Sequence, residues 1–244
     1  VALGLTLLAL LVPSFARAAD VRVLTAGAYR AVLNDLAPGI EAATGHRLII
    51  SNETTGVVVQ KVKAGEAVDL VVLPPAAAAG LGTLLGPVTP LAKVGIGVAV
   101  ARGAPRADIT TEAGLRALTL SSRAPSWIDP KAGGSSGISM AQLWERWGIA
   151  GQMLPKSVLV QGGLVADAVV SGRSDLAFQQ ISELMAVPGV DVLGPLPESV
   201  QSYTVYAAAV PASGIQRAAA NQVIAYLAGP QAGAVLLKHG MQVP

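Results

Sequence analysis

The sequence predicts an α/β protein, a mostly parallel sheet with helices on its faces. Three observations carry this. From Val21 onward, apolar runs and amphipathic segments alternate in a βαβαβ rhythm. The run Leu-Val-Val-Leu after Asp69 is apolar on both faces, as a strand covered from both sides must be. Short polar turns recur where a strand ends and a helix begins, at residues 26–28, 53–56, 133–137 and 161–164. A chain of 244 residues can form one large domain or two smaller lobes, and either buries a real core.

Each element has its own signal. Residues 21–24 form an apolar strand. Tyr29, Val32, Leu33, Leu36 and Ile40 recur at helical spacing, and Gly45 supplies a left-handed cap. Residues 48–51 are the second strand, 57–64 the second helix closed by Gly65, and 69–73 the third strand. Residues 70–92 carry no charge, but Pro74, Pro75, Pro87 and Pro90 break any membrane-spanning helix there and leave a strand, a short helix and a turn. Strands follow at 94–101, 126–129, 158–161, 176–178, 190–193 and 203–210. Helices follow at 111–117, 138–147, 164–171 and 181–185, then 215–227 and 231–238, separated by Gly229-Pro230.

Composition narrows the function. With 52% hydrophobic and 13% charged residues the chain is too apolar to be disordered. Seventeen basic and fifteen acidic residues leave a net charge of +2 with no basic cluster, so no nucleic-acid partner is expected. The absence of cysteine excludes disulfides, thiolate metal sites and thiol nucleophiles. The two histidines, His46 and His239, are too far apart in sequence to suggest a metal site or a Ser/His/Asp triad, so neither metal nor cofactor is expected. Both suit structural roles.

Residues 1–18 read as a secretory signal. The apolar stretch at 3–12 is shorter than the roughly 20 residues a spanning helix needs, and Ala16-Arg17-Ala18 is the small-x-small pattern of a cleavage site. No basic segment or Met precedes it, so the precursor is expected to begin upstream. The mature chain is expected to start near Ala19, in the periplasm, without stable membrane insertion and as a monomer.

In open α/β sheets ligands bind outside the carboxyl ends of the strands, where helix N-termini present free N–H groups and partial positive charge. Ser135 and Ser136, within Gly133-Gly134-Ser135-Ser136-Gly137, read either as an anion cradle or as a plain helix cap. The loop lacks the Gly-Lys-Ser/Thr ending of a phosphate-binding P-loop. Lys131 before it reads as solvated. Thr54 and Thr55 repeat the same pair of readings. Ala28 offers backbone, Tyr29 a ring more often found in a core, and Arg30 a guanidinium that fits a carboxylate or simply lies on the surface. Gly163 and Leu164 form the fourth turn. Gln179 and Gln180 alternate in direction along a strand, so at most one is expected to face a cleft. Trp144 and Trp147 have helical spacing and read as core. Acidic residues, Glu183 among them, are scattered singly. Asp69 and Asp175 each precede an apolar strand and read as structural.

The four turns, in this order and spacing, resemble the periplasmic molybdate-binding proteins of the type II solute-binding family. The resemblance covers nearly all of the mature chain. It is clearest in residues 23–33, in Val62-Lys63-Ala64-Gly65-Glu66-Ala67-Val68-Asp69-Leu70, and in Leu227-Ala228-Gly229-Pro230-Gln231-Ala232. It implies a two-lobed α/β fold with mixed sheets flanked by helices and two crossing strands as hinge. One lobe would comprise 19–94 plus 198–244, the other 95–197, with crossings near 94–98 and 198–203.

That family holds an oxyanion through serines at the first two turns, backbone N–H groups and a tyrosine. Carried onto this chain, these positions fall on Ala28, Thr55, Ser136, Leu164 and Gln180. Two of the three side-chain positions are therefore altered. The resemblance implies capture of a small anion for the membrane permease of an ABC importer. Extra room at Ala28 and an amide acceptor at Gln180 favour an organic acid, from mono- to tricarboxylate, over molybdate, tungstate or sulfate. The rival class is a dehydratase-like enzyme on the same fold, for which Glu53 is the candidate acid–base group. A sensor role is not separable from import by sequence.

Overall fold

The computed structural model describes residues 18–244, so the signal expected at 1–18 lies outside the described residues except for Ala18. The chain runs β1 (Asp20–Ala26), α1 (Arg30–Thr44), β2 (Arg47–Glu53), α2 (Thr55–Lys63), β3 (Leu70–Leu73), α3 (Pro75–Ala79) and the long β4 (Thr89–Ala101). It continues with α4 (Glu112–Ser121), β5 (Pro125–Ile128), α5 (Ser135–Arg146), α6 (Ala150–Met153), β6 (Val158–Val160), α7 (Asp167–Val170), β7 (Leu176–Gln180) and α8 (Ile181–Met185). It ends with β8 (Val190–Pro195), β9 (Tyr203–Ala209), α9 (Arg217–Leu227) and α10 (Ala232–Lys238).

The strands form one curled mixed sheet in the order β2-β1-β3-β9-β4-β7-β5-β6, with β8 also on β4. β1 is parallel to β2 and β3, and β5 is parallel to β6 and β7. β4 and β9 run antiparallel to their neighbours. The first part of β4 pairs with β9 up to Gly95, and from Ile96 onward it pairs with β7. β4 thereby carries the chain from one half of the sheet to the other. The return segment crosses beside it, tied by Gln201, whose Oε1 accepts from Ile96 N (2.8 Å) and whose Nε2 donates to Ile96 O (3.0 Å).

Each half of the sheet buries side chains on both faces, and the period of two along the strands does the sorting. In β3, Leu70 and Val72 join one core with Val32, Leu33 and Leu36 of α1, while Val71 and Leu73 join another with Val58 and Val62 of α2. In β7, Leu176 and Phe178 pack with Trp127 and Trp144, and Ala177 faces Val169 and Leu184. Trp127 and Trp144 meet edge to face at 4.6 Å between ring centres, and Trp147 packs against the same core, so Trp144 and Trp147 are packing residues as their helical spacing implied.

Asp69 and Asp175 play matching parts in the two halves. Asp69, fully buried, accepts hydrogen bonds from Arg22 N (3.0 Å) and from Ile215 N and Gln216 N (both 3.1 Å) just ahead of α9. Asp175 accepts from Ser122 Oγ (2.7 Å), Arg123 N (2.7 Å) and Ala124 N (2.9 Å). Burial pushes the Asp175 carboxyl up, and these three donors more than reverse it, leaving it below the ordinary carboxylate value.

Most elements start or end a few residues from the sequence expectation, and four of these differences have a local physical cause. β4 begins at Thr89 rather than 94, because Pro90 sits at a register shift in the pairing with β9, where a missing N–H is tolerated. α5 begins at Ser135 rather than 138, since Gly134 stands at its N-cap. α7 shrinks to Asp167–Val170 from the expected 164–171, because Val165 N is taken by Gln179 Oε1 (2.8 Å). β7 extends through Gln180, opposite Ile96 of β4, where the sequence alone ended it at 178.

Candidate functional site

The four turns face one cleft of about 180 Å³, several times the ~30 Å³ that a water molecule occupies in the liquid. It opens between the two halves of the sheet. Ala28 and Arg30 stand at the first turn, Thr54 and Thr55 at the second, Ser135 and Ser136 at the third, and Gly163 and Leu164 at the fourth. Gln180 closes the floor at the end of β7.

Tyr29 is not in the cleft wall. It is fully buried among the α1 core residues, its ring stacked on Tyr206 at 6.4 Å. Its place on the apolar stripe with Val32, Leu33 and Leu36 sends it inward. Gln179 and Gln180 both line the cleft, contrary to the expectation that at most one would. Gln179 spends its amide on the fourth turn, donating to Gly163 O (2.9 Å) and accepting from Val165 N (2.8 Å).

The third turn is the richest in donors. Ser135 and Ser136 lie in the first turn of α5 and make no capping bond, since Gly134 is the N-cap. First-turn N–H groups have no intrahelical carbonyl to reach, and the helix dipole adds partial positive charge there. The Gln180 amide gives every one of its atoms a partner when its oxygen accepts from Ser135 Oγ (2.7 Å) and Ser136 N (3.2 Å). Its nitrogen then donates to Ser136 Oγ (3.1 Å) and Glu183 Oε2 (2.8 Å). At the second turn Thr54 caps α2, Oγ1 accepting from Val57 N at 3.4 Å.

Across the cleft the two sides touch. Thr54 Oγ1 donates to Ala132 O (2.7 Å), Gly56 N donates to Gly133 O (3.3 Å), and Ser182 Oγ donates to Ala28 O (2.9 Å). Gly133 has φ 73°, and a Cβ on it would lie 2.9 Å from Gly56 Cα. Both the backbone angle and the close approach demand glycine there.

Two cleft residues escaped the sequence reading. Tyr206 reaches in from the middle of β9. Burial, and then the neighbouring Glu183, push its phenol up, against a hydrogen bond from Ser135. Glu183 stands in the first turn of α8, half-buried in the cleft wall, and burial pushes its carboxyl up to about 8. The available signal was its position three residues beyond Gln180, at a strand end. Glu53, the acid–base candidate from sequence, also lines the cleft but forms an ion pair with Lys61 at 3.3 Å. Among the described residues neither Glu183 nor Arg30 forms an ion pair, and no group of three His, Asp or Glu is placed to hold a metal ion.

The Glu183 carboxyl makes stability pH-dependent. Below pH 4.5 both the folded and unfolded chains hold its proton. As pH rises toward 8 the unfolded chain releases it and the folded chain does not, so stability falls. A rise from 4.5 to about 8 corresponds to about 5 kcal/mol in full. Solvent reaching the half-buried group reduces this to about 1–2 kcal/mol. Urea unfolding of Glu183→Gln should therefore match the parent chain at pH 4.5 and exceed it by that amount at pH 8.5; equal stability at both values contradicts the shift.

A family model described as "Bacterial extracellular solute-binding protein" matches residues 21–242. A Pseudomonas sp protein named "Aconitate isomerase" is 27% identical over 231 residues, covering 90% of this chain and 86% of that protein. Among solved structures, the periplasmic molybdate-binding protein of Azotobacter vinelandii superposes with a TM-score of 0.75 at 20% identity, covering 92% of this chain and 99% of that one. The tungstate ABC transporter protein of Geobacter sulfurreducens superposes at 0.68 and 16% identity, covering 90% and 98%. No helix among the described residues is long and apolar enough to cross a membrane.

Proposed function

Since the chain belongs to the bacterial extracellular solute-binding protein family, we propose that its cleft captures a small organic anion bearing two or three carboxylates. Capture takes place in the periplasm, and the loaded protein docks on the permease of an ABC importer. The lobes are residues 19–94 plus 198–244 and residues 95–197, hinged where β4 and the 198–203 segment cross, and they close on the ligand.

The carrying observation is the distribution of donors. Ser135, Ser136 and the α5 N-terminus come from one half of the sheet and the unpaired Arg30 from the other, and all of them line the same cleft, with the small side chain of Ala28 beside Arg30. Separate carboxylates on one carbon skeleton match two separate donor groups. A tetrahedral oxyanion wants donors on every side. Here Glu183, its carboxyl hydrogen-bonded to the Gln180 amide at 2.8 Å, puts a carboxyl group in the wall, which suits a ligand with some uncharged surface. The Pseudomonas relative's name points to a tricarboxylate as well.

Titration calorimetry of the ligand-free protein against mono-, di- and tricarboxylates, molybdate, tungstate and sulfate tests this reading. Dissociation constants should fall as carboxylates are added, reaching the micromolar range, about −8.2 kcal/mol. Molybdate or sulfate binding more tightly than every carboxylate contradicts it.

A further inference from the structure

Capture leaves Glu183 without a task. The residue lies where the main cleft meets a second chamber of about 220 Å³ walled by Ala31, Asn34 and Ala186, and it borders both. One carboxyl oxygen accepts from the Gln180 amide at 2.8 Å. The other lies against Gly27, where an added Cβ would come within 2.6 Å of it. Glu53, by contrast, is neutralised by Lys61. Glu183 is thus an uncompensated carboxyl on the cleft wall, held by the Gln180 amide at one oxygen and packed against Gly27 at the other.

We propose that Glu183 is a catalytic acid–base residue that moves a proton between two carbons of a bound unsaturated polycarboxylate and so shifts its double bond. This rests on the polycarboxylate reading above. Aconitate, the unsaturated tricarboxylate in the relative's name, illustrates the balance. A C–H bond of its saturated CH2 carbon breaks and the Glu183 carboxylate takes the proton. The electron pair spreads over the three-carbon unit and the carboxylate at its far end. Glu183 then returns a proton to that far carbon, forming a new C–H bond. The double bond now joins the central carbon to the former CH2. Nothing is oxidised or reduced, and the alkene can reform in either geometry. Developing negative charge falls on carboxylates facing the α5 N-terminus and Arg30, which stabilise it most where it is greatest. Burial brings the carboxyl close to neutrality in its ionisation, so both forms needed for the shuttle are accessible.

The test follows trans-aconitate by proton NMR in D2O with the intact protein, alongside calorimetry with propane-1,2,3-tricarboxylate, which has no double bond to move. The parent chain should interconvert cis and trans forms. Glu183→Gln should slow this at least a hundredfold while still binding the saturated tricarboxylate within about fivefold. Glu183→Asp, which keeps the carboxyl but withdraws it, should retain a small rate, and it carries the test if Glu183→Gln does not fold. A parent chain that binds trans-aconitate without isomerising it or exchanging its carbon-bound protons overturns the proposal, as does Glu183→Gln turning over at the parent rate. Failure of both tricarboxylates to bind overturns the polycarboxylate reading itself.

Discussion

Replacing Gly56 by valine should weaken ligand binding by about thirty- to a hundredfold and lower the stability of the ligand-free protein by no more than about 2 kcal/mol. Gly56 lies in the first turn of α2, and a Cβ there would meet Ala132 O and Gly133 Cα at 3.2 Å, both backbone atoms that cannot swing aside. The branches of valine extend further and hold the two sides of the cleft apart. That breaks the hydrogen bonds from Gly56 N to Gly133 O and from Thr54 Oγ1 to Ala132 O, each worth about 1 kcal/mol. It also lets water into the closed site. A loss of about 2–3 kcal/mol is the stated fold-change. The α2 helix itself tolerates the change, because valine is no worse a helix former than glycine. Calorimetry gives the affinity and thermal unfolding the stability. Unchanged affinity would mean that the contact between the second and third turns plays no part in holding the ligand.

Asp69→Ala should destabilise the protein by about 3 kcal/mol, since three backbone N–H groups, of Arg22, Ile215 and Gln216, lose a fully buried acceptor. The Arg22 guanidinium, 3.4 Å from the same carboxylate, is 42% exposed and stays solvated, so its loss of a partner adds little. At about 2–4 °C per kcal/mol for a chain of this size, the melting temperature should fall by about 10 °C. Asp69→Asn, which keeps one acceptor oxygen, should lie between the two. The binding constant measured well below the transition should not change, because Asp69 sits at the opposite end of β3 from the cleft. A loss of affinity at full folding would show that the start of α9 communicates with the site.

Much of this architecture was legible because short-range physics writes it. The alternation that splits Leu70 and Val72 from Val71 and Leu73 is a property of one strand, and the four polar turns mark strand ends whatever the tertiary packing. The same local logic places Tyr29 inside, on the stripe of α1. The turn reading that put it at the site looked only at its neighbours Ala28 and Arg30. Glu183 and Tyr206 belong to the site for a different reason. They converge only because β4 and β9 bring the two halves of the sheet together. Nothing near Tyr206 in sequence distinguishes it from any aromatic residue in a buried strand. The length of β7 was hidden likewise, since two glutamines read as a turn until β4 pairs with them.

In the proposed function, donors gathered at helix and turn N–H groups, together with Arg30, hold a polycarboxylate between the two halves of the sheet. A crystal structure of the protein grown with propane-1,2,3-tricarboxylate tests it most directly. Density is expected for the ligand in the cleft, one carboxylate on the Ser135–Ser136 turn of α5 and another within hydrogen-bond distance of the Arg30 guanidinium. A well-ordered ligand in that cleft with its carboxylates turned away from both, or bound elsewhere on the molecule with the cleft holding only solvent, would contradict it.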